Sequence, residues 1–198
     1  MRKLKYILAS VVLAAGFASC ETEPIDETLN DDTLTGKTLF SFNLNGKQTV
    51  TSDDVSVGFP NGGMTITAKL SLVNEEDTSN PETRYRPAYL YINYNSLVVG
   101  NFPTQLSVEN PSNLVCDARL LIQEYVADDE GVMQKVWVEY LTDNADENQN
   151  AGYSNITRVN SNAKYLNGNF ELILFPEEGT PFDPQRLTTG SFNYLRYE

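Results

Sequence analysis

Met64-Thr65-Ile66-Thr67-Ala68-Lys69-Leu70-Ser71-Leu72 decides the fold class. Met64, Ile66, Ala68, Leu70 and Leu72 take every second position, with Thr65, Thr67, Lys69 and Ser71 between them. Successive side chains of a strand point to opposite faces, so this period gathers the apolar groups on one face; wound as a helix, the same residues would scatter round the axis. The stretch predicts a half-buried strand, opened by the turn residues Pro60-Asn61-Gly62-Gly63.

The same period recurs on both sides. Upstream, Phe40, Phe42 and Leu44 alternate with polar residues and run into Asn45-Gly46, a pair suited to positive φ in a hairpin turn before residues 47–51; a short strand follows at 55–59. Downstream, residues 74–87 are polar, acidic and interrupted by Pro81 and Pro87, which predicts a long surface loop. Strands are expected at 88–95 and, briefly, at 97–102. Residues 114–126 and 132–141 flank Asp128-Asp129-Glu130-Gly131 and predict a long hairpin. After an acidic, Asn-rich loop at 142–151, the last strands are expected at 152–160, 165–175 and 187–197. From Lys37 onward almost no segment of helix length repeats apolar residues at i, i+3, i+4 and i+7. The expected fold is all-β: a single antiparallel β-sandwich or open barrel of roughly ten strands.

Composition narrows the chemistry. The 198 residues are 40% hydrophobic, enough for one core. Acids number 27 against 14 Lys plus Arg, a net charge of −13 that disfavours nucleic acid as a partner. There is no histidine and cysteine occurs twice, which excludes His general bases, Ser-His-Asp and Cys-His systems, His-ligated zinc and a dense disulfide framework. Cys116 lies within an apolar alternation and is expected to be a buried small hydrophobe rather than a nucleophile.

The first residues read as an export address. Arg2, Lys3 and Lys5 precede an apolar run, Ile7 to Ala18, that is too short to span a bilayer and ends in small residues. Phe17-Ala18-Ser19-Cys20 resembles the lipobox of bacterial lipoproteins, with Phe17 where Leu is commoner. The resemblance implies cleavage before Cys20, a diacylglyceryl thioether on its sulfur and an acylated amino terminus, which together anchor a chain stably in a membrane. Residues 21–36 hold six acids, no basic residue and few large apolar side chains, and read as a self-repelling spacer. An acidic stretch directly after the cysteine, here Cys20-Glu21-Thr22-Glu23, resembles the signal that sends Bacteroidota lipoproteins to the outer face of the outer membrane. The expected organisation is therefore a lipoprotein signal peptide at 1–19, a lipidated Cys20 with acidic tether at 20–36, and an all-β domain at 37–198. The expected location is the outer membrane, more surface-facing than periplasmic.

Three short patterns in the last third complete this picture: Ala151-Gly152-Tyr153-Ser154-Asn155-Ile156-Thr157, Leu166-Asn167-Gly168-Asn169-Phe170-Glu171-Leu172 and Thr188-Thr189-Gly190-Ser191-Phe192. With the lipobox, the early strand ending Phe42-Asn43-Leu44-Asn45-Gly46 and the threonine-rich strand at 64–68, they make the chain similar to a family of small Bacteroidota lipoproteins. The resemblance implies a secreted, lipid-anchored β-domain and carries over no catalytic residue.

Candidate sites are few. Asp128-Asp129-Glu130 and Asp143, Asp146 and Glu147 could offer oxygen ligands to calcium, but neither group fits a twelve-residue calcium loop, and solvated turns are the expected reading. No metal and no cofactor is expected. Residues 132–141 put Val132, Val136, Val138 and Tyr140 on an apolar face, and Trp137, the single tryptophan, on the other with Lys135 and Glu139. Tyr89 and Tyr91 share a strand face with Asn93 and Asn95. Trp137, Tyr89, Tyr91 and Asn93 are thus the candidate ligand-binding residues, suited to stacking on and hydrogen-bonding a glycan; the competing expectation is that they pack across the sandwich or under loops. The functional expectation is a non-catalytic binding module for a glycan or other surface ligand, with a structural or assembly component of the envelope as the alternative. A hydrolase using two carboxylates is more distant.

Overall fold

The structure, a computed structural model, describes residues 39–74, 84–104, 113–127, 130–145 and 150–198. The signal segment, Cys20, the acidic tether and the acids Asp128, Asp129, Asp146 and Glu147 lie outside the described residues. Residues Lys37–Glu198 form one compact unit.

The described residues form eleven strands and no α-helix. These are β1 (Leu39–Leu44), β2 (Gln48–Ser52), β3 (Val55–Gly58), β4 (Met64–Val73), β5 (Tyr85–Tyr94), β6 (Gly100–Pro103), β7 (Cys116–Ala127), β8 (Met133–Leu141), β9 (Gly152–Asn160), β10 (Tyr165–Pro176) and β11 (Gln185–Arg196), with a single 3₁₀ turn at Pro60–Gly62. One layer runs β2-β1-β11-β10-β9-β6, the other β3-β4-β5-β7-β8, and every pairing is antiparallel. The layers join where the end of β10 turns onto β8, through Phe175 opposite Leu141 and Pro176 opposite Tyr140. At the other margin the chain steps from β2 to β3 through Asp53 and Asp54, and the Ser52 hydroxyl donates to the Lys69 carbonyl of β4 at 2.6 Å. This is the sandwich or open barrel that the alternation predicts.

Both layers turn their apolar sides to one core. Met64, Ile66, Ala68, Leu70 and Leu72 are all buried, as are Phe40, Phe42 and Leu44 from the facing layer. The Asn45-Gly46 pair has φ of 54° and 70°, and the Lys47 N–H donates to the Leu44 carbonyl at 3.1 Å, but Leu44 pairs with Gln48, so the connection holds three residues rather than two. The Gly-x-Phe motifs also find a cause. Gly168 lies opposite Phe192 and Gly190 opposite Phe170, and a Cβ on either glycine would overlap the facing ring. Each phenylalanine thus lies across the backbone of a glycine on the neighbouring strand, covering it from water. A polar bridge crosses the core where the Tyr94 hydroxyl of β5 lies 2.7 Å from Ser154 Oγ of β9.

Several expectations need correction. The loop drawn over 74–87 is too long, because β5 begins at Tyr85 and contains Pro87. Pro87 pairs with Ser71 on β4, while the ladder to β7 starts only at Ala88, so the missing N–H of proline is tolerated there. The strand expected at 97–102 is displaced to Gly100–Pro103. Asn95 falls outside β5, its amide tying the chain to Asn113 and Val115. Val132 and Val136 are exposed, because the β7–β8 hairpin runs past the edge of the opposite layer. Only Val138 and Tyr140 of that face reach the core.

Candidate functional site

The outer face of β5-β7-β8 brings the aromatic candidates together. On β5, Ala88, Leu90 and Ile92 are fully buried, which turns Tyr89 and Tyr91 outward and leaves them half-buried. On β8, Trp137 faces the same side and is 49% exposed. Tyr89 lies opposite Leu121 of β7, and Leu121 opposite Glu139 of β8, so Trp137 is one step along the diagonal from Tyr89. The two rings meet across β7 with centroids 5.8 Å apart and planes tilted by 42°. Outward alternation and this diagonal reach of aromatic side chains place them there.

Polar groups continue the face. The Arg119 guanidinium sits 5.9 Å from the centre of the Tyr91 ring and is ion-paired with Glu139. Asn93 is at the far end, where its carbonyl accepts from the Thr65 hydroxyl at 2.8 Å and its amide donates to Asp117 at 2.6 Å. Trp137, Tyr89 and Tyr91 therefore make a ring surface bordered by a guanidinium, carboxylates and an amide. Asn93 belongs to the sheet's own cross-strand ladder rather than to the ring pair. Such a surface can stack on the C–H face of a sugar and hydrogen-bond its hydroxyls at the border.

A second feature went unread in the sequence. At one end of the sandwich lies a cleft of about 750 Å³, lined among others by Lys47, Arg86, Glu124, Met133, Tyr140 and Phe182. Here the inward rows change from apolar to polar: Ala88 gives way to Arg86 on β5 and Ile122 to Glu124 on β7, and these two form an ion pair. Arg86 and Glu124 are mostly buried, and the Arg86 Nε has no protein partner. Burial, then the charge of Glu124, pushes the Tyr140 phenol well above its ordinary range, so it stays a neutral hydroxyl. The cleft is built from short pieces of six separate segments, none with a local signature.

Cys116 is buried as expected, and its thiol donates to the Phe102 carbonyl at 3.0 Å. Burial pushes its pKa up to about 12, leaving it neutral at physiological pH. Among the described residues no group of three or more His, Cys, Asp or Glu side chains is arranged to hold a metal ion.

No family model, no curated protein and no solved structure matches the chain.

Proposed function

We propose that the chain is an exported lipoprotein of the Bacteroidota type, anchored in the outer membrane through acylated Cys20 and facing the cell surface. On this reading its β-domain is a non-catalytic binding module for an extracellular glycan. The supporting observation is the Trp137–Tyr89 pair: two large rings in contact and open to water, on strands whose other face is buried beside them at Ala88, Leu90 and Val138. A core of that kind holds the rings in place before a ligand arrives, which limits the ordering cost of binding. Tyr91, Arg119 and Glu139 supply hydrogen-bonding groups beside the rings, and the net charge of −13 favours neutral saccharides over polyanions such as nucleic acid.

Trp137 is the single tryptophan, so its fluorescence reports directly on the proposed site. The full chain is screened on a glycan array, and hits are titrated by tryptophan emission. A hit that perturbs the emission and is lost in both Trp137→Ala and Tyr89→Ala, at little change in melting temperature, supports the proposal. A wild type that binds no glycan refutes it.

A second reading, a structural or assembly component of the envelope, is favoured by a different observation. Among the described residues, β8 has a strand neighbour on one side only over most of its length.

A further inference from the structure

The open edge of β8 is complementary to itself. Pairing with β7 covers one edge from Met133 to Leu141, whereas β10 reaches the other edge only at Tyr140 and Leu141. Among the described residues, no strand pairs with Lys135 to Glu139 on that second side. Half of their backbone N–H and C=O groups therefore face outward, a ready template for another strand. The edge is also apolar in its middle, with Val136 37% and Trp137 49% exposed.

The order of side chains along this edge is what identifies the partner. Lys135-Val136-Trp137-Val138-Glu139 reads cation, β-branched, aromatic, β-branched, anion. We propose that β8 pairs antiparallel with β8 of a second copy of this chain, about a twofold axis at Trp137. This register sets Lys135 against the partner's Glu139, and Glu139 against the partner's Lys135. It also sets Val136 against the partner's Val138, and Trp137 against the partner's Trp137. Opposite charges, β-branched pairs and aromatic pairs are the favourable cross-strand combinations. Moving the axis to Val136 would place Lys135 against the partner's Trp137 and Glu139 against the partner's Met133, losing both charge pairs. A parallel arrangement in register would put like charges side by side. Because β10 already lies beside Tyr140 and Leu141, the pairing spans positions 135–139 of each copy, and the partner's Gln134 and the partner's Met133 must bend off the edge there. The contact is isologous and closes as a dimer.

The axis stands perpendicular to the sheet, so the outer faces of the two copies point the same way. The five-stranded layer ending in β8 becomes a continuous sheet across the dimer, and Tyr89 and Trp137 of each copy form one aromatic row. Glu139 keeps its contact with Arg119, which adds a second cation to the charge pairs. The inference stands on the edge and its charges and does not require a glycan.

The test is a charge swap on the full chain, followed by sedimentation equilibrium in detergent. Wild type is expected to be a dimer. Lys135→Glu is expected to weaken it by about tenfold or more, because symmetry counts the change twice, and Lys135→Glu with Glu139→Lys is expected to restore it. Independently, Trp137→Cys is expected to form a disulfide-linked dimer under mild oxidant, whereas Lys69→Cys, exposed on the far strand β4, is not. Melting curves verify that each variant folds, and the cross-link does not depend on the charge variants folding. A monomeric wild type, a dimer indifferent to Lys135→Glu, a failed rescue or no cross-link at position 137 would each overturn the inference. Glycan binding by a monomeric variant would leave the proposed function standing without it.

Discussion

Replacing Gly190 by alanine adds one methyl group where the structure has no room for it. A Cβ on Gly190 would meet three atoms of the Phe170 ring well inside the ordinary carbon–carbon separation of about 3.5–4.0 Å. Phe170 is 1% exposed and cannot swing into water. It is stacked on Phe40 at 5.5 Å and leans on Phe42 at 6.1 Å, so relief requires moving a whole aromatic cluster by roughly an ångström. Overpacking of this kind costs about 1–3 kcal/mol, offset by about 0.4–1 kcal/mol because alanine has less freedom than glycine in the unfolded chain. The expected net loss is about 1–2 kcal/mol, read as a lower urea midpoint at unchanged slope. Pairing the change with Phe170→Leu sharpens the test. Each substitution alone harms packing, but together the methyl occupies space the smaller side chain vacates, so the double variant should lose at least about 0.5 kcal/mol less than the two losses added. A Gly190→Ala protein as stable as wild type, or strictly additive losses, would show that the Gly-x-Phe pairs do not pack as described.

Thr189 is a β-branched residue held at φ 50° in β11, where one extra residue bulges against both neighbouring strands, so Thr189→Asn should raise the unfolding free energy by about 0.5–1 kcal/mol, read as a higher urea midpoint. A loss of stability would mean that the threonine side chain has a role of its own at the bulge. Arg86→Met leaves the mostly buried Glu124 carboxylate without its cation and should cost about 2–4 kcal/mol in chemical unfolding, whereas Arg86→Met with Glu124→Gln should recover most of it; equal losses would contradict a desolvated pair. Cys116, Tyr94 and Tyr140 all have pKa values raised by burial, so above about pH 9 the unfolded chain loses protons that the folded chain keeps. Stability should therefore be full below the ordinary thiol pKa and fall as pH rises towards 12, by up to about 1.4 kcal/mol per pH unit for each group, with Cys116→Ala flattening the first part of the fall; a urea midpoint constant to about pH 11 would contradict this.

The fold was legible wherever one face of a strand is buried along its length. Phe40-Phe42-Leu44 and Met64 to Leu72 are local patterns with a local cause, and the structure buries each apolar member. What depends on distant chain was not legible. Whether Val136 is buried depends on where the opposite layer stops, and nothing within residues 132–141 records that. The positive-φ positions of the β11 bulges, Thr189 and Tyr194, are neither the glycine nor the asparagine that usually marks such a φ. Pro87 signals a break in any local reading, yet the strand passes through it because one of its two ladders has ended. The ring pair was half legible. Alternation set Trp137 and Tyr89 outward, but their contact across β7 depends on a register that only the assembled sheet defines.

Trp137 stands at the meeting point of two different proposals, and they are separable because they use different parts of it. Glycan stacking needs the face of the indole, whereas strand pairing needs the backbone edge and the charges at positions 135 and 139. Lys135→Glu should leave the affinity for a single short oligosaccharide unchanged, since the ring pair with Tyr89 is intact in each monomer. Binding to an immobilised polymer is a different measurement. A dimer offers two ring surfaces facing the same way, and engaging both at once can raise avidity by about 10²–10⁴ without any new contact. The same variant should therefore lose most of its retention on a polysaccharide surface, and Lys135→Glu with Glu139→Lys should regain it. Equal retention by wild type and Lys135→Glu would mean that each copy binds alone, whatever the state of the β8 edge. Weaker binding of the short oligosaccharide by Lys135→Glu would instead place Lys135 in the ligand contact, not in the dimer.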